Sequence, residues 1–150
     1  MSGPGPVLNR RQIVGSALCL IGAVQVGPAK AAPEAMAAAI RGFTGGAPLR
    51  EGKVQLEVAT LVDNGNTVPV TIRVPGVPAG EVAAIALFNE RNPQSDVARF
   101  DFGPRAAGRT VSTRIRLATS QQLVAVARLA DGGCWSQRVE VVVVLAACIE

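Results

Sequence analysis

The chain has 150 residues, of which 49% are hydrophobic and 17% are charged, and it contains no histidine. The absence of histidine excludes mechanisms that need an imidazole base or metal ligand, such as Ser–His hydrolysis and His-ligated zinc. Three cysteines are too few for a disulfide scaffold or a four-cysteine metal site, and the formal charge of +4 suits an acidic partner only if those charges belong to the folded domain.

Residues 1–31 have the pattern of an export signal. Arg10-Arg11 precedes an apolar run from Ile13 to Val26, and Ala29-Lys30-Ala31 places small residues at the two positions that a signal peptidase reads. The paired arginines favour the twin-arginine route, which carries folded protein to the periplasm, over ordinary secretion with an accidental arginine pair.

Removal of residues 1–31 changes the charge argument. The segment holds Arg10, Arg11, Lys30 and no acidic residue, so 12 basic residues would face 11 acidic ones in the mature chain. No basic patch interleaved with aromatics remains, and nucleic acid is therefore not an expected partner. No membrane span is expected after cleavage either.

The spacing of apolar residues predicts one helix and then strands. Met36, Ile40 and Phe43 recur at helical spacing, which predicts a short N-terminal helix over 33–43. Alternating apolar residues then predict about seven strands. These are Val54–Val58, Val68–Val74, Val82–Phe88, Val97–Phe102, Val111–Leu117, Leu123–Leu129 and Trp135–Leu145. The pattern predicts an all-β chain: an immunoglobulin-like antiparallel β-sandwich over 32–145, followed by a C-terminal arm over 146–150.

Three features of the predicted strands carry further expectations. Asn64-Gly65, between the first two predicted strands, is a strong hairpin turn signal. Val141–Val144 is continuously apolar, which is typical of a strand buried on both faces. In a small sandwich, one of those faces could instead be covered by another polypeptide. Phe88, Phe100, Phe102 and Trp135 are expected to anchor the core or the contact between the sheets, with ligand stacking as the alternative for Trp135.

No catalytic constellation is visible, and no cofactor or metal site is predicted. Asp96 and Asp101 are expected to be turn and surface residues rather than a glycosidase pair. Cys134 and Cys148 lie 14 positions apart, mostly along one strand, which places them roughly 45 Å apart when extended. That separation argues against a disulfide between them.

The two cysteines outside the predicted export signal have different expected roles. Cys134 enters a strand beside a core tryptophan, which favours a structural role. Cys148 lies on a tether beyond the last strand, where a thiol can accept a group and present it to other proteins. The alternative for Cys148 is a small hydrophobic residue that packs against the body.

Several segments resemble the SoxY family, the carrier subunits of periplasmic thiosulfate oxidation. They are Asp63–Ile72, Phe88–Pro93, Phe102–Arg105, Val111–Ala118, Val124–Ala127 and Asp131-Gly132 with Trp135. The resemblance implies an immunoglobulin-like sandwich that forms a heterodimer with a SoxZ-like subunit and is not itself an enzyme. It also implies that Cys148 holds a sulfur species covalently. Partner enzymes would load thiosulfate, hydrolyse off sulfate and oxidise the remaining sulfur.

The arm departs from the family's Gly-Gly-Cys-Gly-Gly sequence. Ala146 and Ala147 replace the glycines before Cys148, and Ile149 and Glu150 replace those after it. This end resembles a SoxY-related group whose arm reads Ala-Ala-Cys-Ile-Glu. Alanine restricts the backbone, and Glu150 is expected to repel anionic substrates. The alternative function is therefore a periplasmic binding or scaffold module whose arm no longer carries sulfur.

Overall fold

The structure is a computed structural model, and it describes residues 32–148. It contains helix α1 (Ala32–Thr44) and strands β1 (Leu49–Glu51), β2 (Gln55–Glu57), β3 (Leu61–Asn64), β4 (Val68–Arg73), β5 (Val82–Asn89), β6 (Asp96–Asp101), β7 (Thr110–Ile115), β8 (Gln121–Leu129) and β9 (Cys134–Leu145). The predicted helix and all seven predicted strands are present. Strands β1 and β3 are additional. The predicted export signal over 1–31 and the arm residues Ile149 and Glu150 lie outside the described residues.

The strands form two sheets. The larger sheet has the order β1-β9-β8-β5-β6, with β3 also paired to β9, and the smaller has the order β2-β4-β7. The seven predicted strands pair antiparallel, whereas β1 and β3 lie parallel to successive stretches of β9. The predicted immunoglobulin-like sandwich is confirmed, with two short parallel strands added beside β9.

The main core lies between the two sheets. In β4, Val70 and Ile72 point inward, and they belong to one buried cluster with Ile85 and Leu87 of β5. Alternating burial along β4 follows because only one face of the smaller sheet is covered. Trp135 is half-buried and packs against this cluster, as predicted. The guanidinium of Arg50 lies 5.6 Å from the Trp135 ring centroid.

Helix α1 covers the other face of the larger sheet. Met36, Ile40 and Phe43 are buried with Phe88 and with alternate residues of β5 and β8. The rings of Phe43 and Phe88 meet edge to face, with their centroids 5.9 Å apart. Burial on both faces explains why β5 and β8 have nearly continuous apolar sequences. No helix within 32–148 is long and apolar enough to cross a membrane.

The hairpin predicted at Asn64-Gly65 is confirmed in its strand pairing and wrong in its turn, because β2 and β4 pair antiparallel but β3 lies between them along the chain. A turn does occupy 65–66, but the strands on its two sides do not pair with each other. Strand β3 pairs with β9 of the larger sheet, whereas β4 pairs with β2 and β7 of the smaller one. The turn therefore carries the chain from one sheet to the other, because β3 finds its partner about 80 residues away along the chain.

The end of β9 has an open outer face. Beyond Val141 the strand has no partner in β8 and pairs only with β3. Val142 and Val144 are 53% and 69% exposed, whereas Val143 packs against the core. Within this chain the apolar run is therefore buried on one face only.

These burial patterns predict different losses of stability for one substitution in the core strand β5 and one at the exposed end of β9. Ile85→Ala should lower the free energy of unfolding by about 2–5 kcal/mol, since it leaves a cavity in the fully buried core. Val144→Ala should change that free energy by no more than about 0.5 kcal/mol. Urea denaturation of the two variants tests this. A comparable loss in both would contradict the assignment of the outer face.

Candidate functional site

The arm beyond β9 lies against the body of the sandwich. Ala146 is exposed, Ala147 is 8% exposed, and Cys148 is exposed again. Of the five predicted arm residues, these three are described. The structure therefore shows an arm that buries one alanine side chain and leaves the thiol accessible.

Three backbone hydrogen bonds connect the end of β9 and the start of the arm with the 65–66 turn and the segment after β7. The Gly65 amide donates to the carbonyl oxygen of Leu145 at 2.8 Å, and the Leu117 amide donates to that of Gly65 at 2.9 Å. The Ala147 amide in turn donates to the Leu117 carbonyl oxygen at 2.9 Å. The strand end, the 65–66 turn and the segment after β7 thus close a ring of hydrogen bonds, which we call the junction.

The junction requires glycine at position 65. A Cβ atom there would lie 2.5 Å from the Leu117 carbonyl oxygen and 3.1 Å from the Ala147 nitrogen. The first distance is shorter than real Cβ atoms show, and the obstacle is backbone that cannot swing aside. Space, rather than an unusual backbone angle, therefore fixes this residue, because Gly65 is not among the residues with positive φ.

The backbone of Cys148 is also held. Its amide donates to the side-chain oxygen Oδ1 of Asn66 at 3.3 Å. Asn66 follows Gly65 in the same turn, so one short loop binds first the end of β9 and then the arm. Sequence reasoning missed Asn66 as a site residue, because the two partners are 82 positions apart.

Asn92 braces the segment on which the arm rests. Its Nδ2 donates to the Arg116 carbonyl oxygen at 2.8 Å, and its Oδ1 accepts from the Ala118 amide at 3.0 Å. These two bonds flank Leu117, which accepts the hydrogen bond from Ala147. Gln121 also donates to Asn92 Oδ1, at 2.7 Å. The side chain of Asn92 therefore fixes the surface that receives the arm.

Cys134 has the opposite environment from Cys148. It is 1% exposed, and its sulfur lies 3.7 Å from the Gly132 carbonyl oxygen. Burial raises the pKa of the Cys134 thiol, and the nearby charge of Arg128 only partly opposes this. The reactive thiolate is therefore disfavoured at Cys134. Neither Cys134 nor Cys148 forms a disulfide.

Little else in the described part of the chain offers chemistry. Within 32–148, no three His, Cys, Asp or Glu side chains form a group that could hold a metal ion. Asp96 and Asp101 are exposed, and Asp101 pairs with Arg99 at 2.8 Å. No described side chain hydrogen-bonds to the Cys148 sulfur. The arrangement can present an accessible thiol.

Comparison with known proteins identifies the family. The SoxY family, described as sulfur oxidation protein SoxY, matches residues 40–148. The structure of the sulfur carrier protein SoxY from Chlorobium limicola f thiosulfatophilum is similar at 30% identity and a TM-score of 0.63, covering 73% of this chain and 96% of that one.

More distant structures share the fold alone. Superoxide reductase (neelaredoxin) from Ignicoccus hospitalis has 23% identity and a TM-score of 0.54, covering 61% of this chain and 80% of that one. Superoxide reductase from Nanoarchaeum equitans has 16% identity and a TM-score of 0.52, covering 63% and 100%. No curated protein sequence matches the chain. The match over residues 40–148, together with the SoxY structure, shows that the chain belongs to the SoxY family.

Proposed function

We propose that this protein is a periplasmic carrier subunit that holds a sulfur group covalently on Cys148 and presents it to partner oxidising enzymes. The observation that carries the proposal is the exposed thiol of Cys148, on an arm beyond the last strand, in a member of the SoxY family. The buried thiol of Cys134 is unsuited to that role. In this proposal the protein is the bearer of a substrate and not an enzyme.

The chemistry needs nothing from the carrier except a thiolate. Loading joins the Cys148 sulfur to the outer sulfur of a thiosulfate-type anion. Formation of this S–S bond from the thiolate releases two electrons, and a partner oxidoreductase accepts them. Hydrolysis then transfers the sulfonate group to water as sulfate and leaves a persulfide on Cys148. Partner enzymes supply the acid, base and redox groups, so the carrier needs none of its own beside Cys148.

We infer that a SoxZ-like partner subunit covers the open face of β3 and β9. Leu61 is 61% exposed and lies opposite Val142 in the β3–β9 register, so both side chains point to the same side as Val144. We call these three residues the apolar face. Exposed strands of this kind are aggregation hazards unless a partner covers them. The apolar face fits a partner with its own apolar sheet or strand, in a heterodimer.

We further propose that the twin-arginine route delivers the protein to the periplasm. Arg10-Arg11, the apolar run after it and the small residues up to Ala31 support this location. A folded carrier could cross the membrane by this route together with a partner that has no signal of its own.

The carrier role predicts adducts on one cysteine. Protein purified from its native periplasm should show added masses of sulfur or sulfonate units that reductant removes. The Cys148→Ser variant should lose all of them, whereas Cys134→Ser should keep them, since Cys134 is buried. Intact-mass spectrometry with and without reductant measures this. Unchanged sulfur oxidation in the Cys148→Ser variant would instead support the alternative of a scaffold whose arm is unused.

The partner assignment predicts a position-dependent loss of assembly. Val144→Asp places a charge on the apolar face and should weaken the heterodimer by at least about tenfold, because a desolvated, unpaired charge is costly. Gln55→Asp, at an exposed position of the smaller sheet, is the matched control and should leave binding unchanged. Size-exclusion chromatography of the co-expressed subunits tests both variants. Equal binding by both would place the partner elsewhere.

The export assignment predicts dependence on both arginines. Replacing Arg10 and Arg11 together with lysine should leave the precursor in the cytoplasm, because the twin-arginine route reads the pair rather than its charge. An Asn9→Ala variant serves as the control. Immunoblots of cell fractions report the distribution. Normal periplasmic accumulation of the double variant would favour ordinary secretion.

A further inference from the structure

We propose that the turn Asn64-Gly65-Asn66 is a latch that parks the arm against the body, and that the arm alternates between this parked state and a released one. The latch concerns the position of the arm, whatever Cys148 carries. The role of the latch in controlling when a sulfur group is presented rests on the proposed carrier function.

The side chain of Asn66 is oriented to hold the arm. Asn64 Oδ1 accepts hydrogen bonds from both the backbone amide and Nδ2 of Asn66, each at 2.9 Å. With Nδ2 committed to Asn64, the other side-chain atom of Asn66, Oδ1, is left as an acceptor. That oxygen receives the Cys148 amide at 3.3 Å. Asn64 thus acts as a positioning residue for the Asn66 side chain.

Ala147 makes the second contact that keeps the arm against the body of the sandwich. Its amide is bound to the Leu117 carbonyl oxygen, and its methyl group is buried, in contrast to the exposed Ala146. A glycine at position 147 would bury no methyl group and would leave the free arm more backbone conformations. The alanine in this arm therefore favours the parked state relative to a glycine arm.

Release breaks only the outer contacts of the junction. The hydrogen bonds of Ala147 and Cys148 and the burial of one methyl group are lost, whereas those from Gly65 to Leu145 and from Leu117 to Gly65 remain. The core between the sheets is untouched. A net hydrogen bond changes a population by about three- to tenfold, so both states are accessible without unfolding.

The two states differ in how far Cys148 reaches. In the parked state its backbone is fixed beside the turn, and only the side chain can move. Freeing residues 146–148 adds about 10 Å of extended chain. A partner enzyme with a recessed active site would therefore act on the released state. The latch would set the fraction of molecules in that state.

Amide hydrogen exchange measured by NMR tests the latch directly. Asn66→Ala should speed exchange at the Cys148 amide by about three- to tenfold, since one hydrogen bond is lost. Asn64→Ala should have a similar but smaller effect, because it only frees the Asn66 side chain. Asn64→Asp is the matched control, since it keeps an acceptor oxygen at the same place, and it should exchange like the unmodified protein.

A pair of glycine variants tests the alanine hold. Ala147→Gly and Ala146→Gly add the same backbone freedom, but only the first removes a buried methyl group. A nitroxide attached to Cys148, in a Cys134→Ala background, should therefore become more mobile in Ala147→Gly than in Ala146→Gly. Electron paramagnetic resonance line shapes report the difference.

Two results would overturn the latch. One is a Cys148 amide that already exchanges at the rate of an unstructured peptide in the unmodified protein. The other is equal label mobility in the two glycine variants. Both measurements use the isolated protein and no sulfur compound. Failure of the latch would therefore leave the adduct experiment intact, and missing adducts would leave the latch intact.

Discussion

The site depends on one steric constraint, the close approach of three backbone segments at Gly65. Its amide and carbonyl groups bind the end of β9 and the segment after β7, and Ala147 completes the ring. With any side chain at position 65, the Leu117 carbonyl would have to move. Since Asn92 holds the peptide groups on both sides of Leu117, the receiving surface is itself rigid. The orientation of the arm follows from this arrangement.

Much of the fold was predictable because it rests on local periodicity. Alternation in 68–74 and continuous apolar runs in 82–88 and 123–129 identify strands whose sheets cover one face or both. The two missed strands, β1 and β3, are only three and four residues long and contain charged residues. Strands this short form because β9 offers a free edge, and a short window of sequence does not contain that information.

The candidate site was predictable only at its exposed cysteine. The position of Cys148 after the last strand follows from the strand pattern, and the burial of Cys134 agrees with its place beside Trp135. The contact between Asn66 and the arm was not predictable, because the Asn-Gly signal specifies a turn but not the partners of its flanking strands. Local sequence propensity correctly predicts a turn at 65–66. Long-range strand pairing determines which two sheets that turn connects.

The last four residues of β9 extend past its pairing with β8. They are held by β3 along one edge and by the Ser120 hydroxyl, which accepts from the Val143 amide at 2.8 Å, along the other. Such an overhang can open locally while the central strands stay closed. Sequence change at the exposed positions of the overhang, Val142 and Val144, is therefore weakly coupled to global stability. This end of the molecule can therefore change in sequence while the same sandwich is kept.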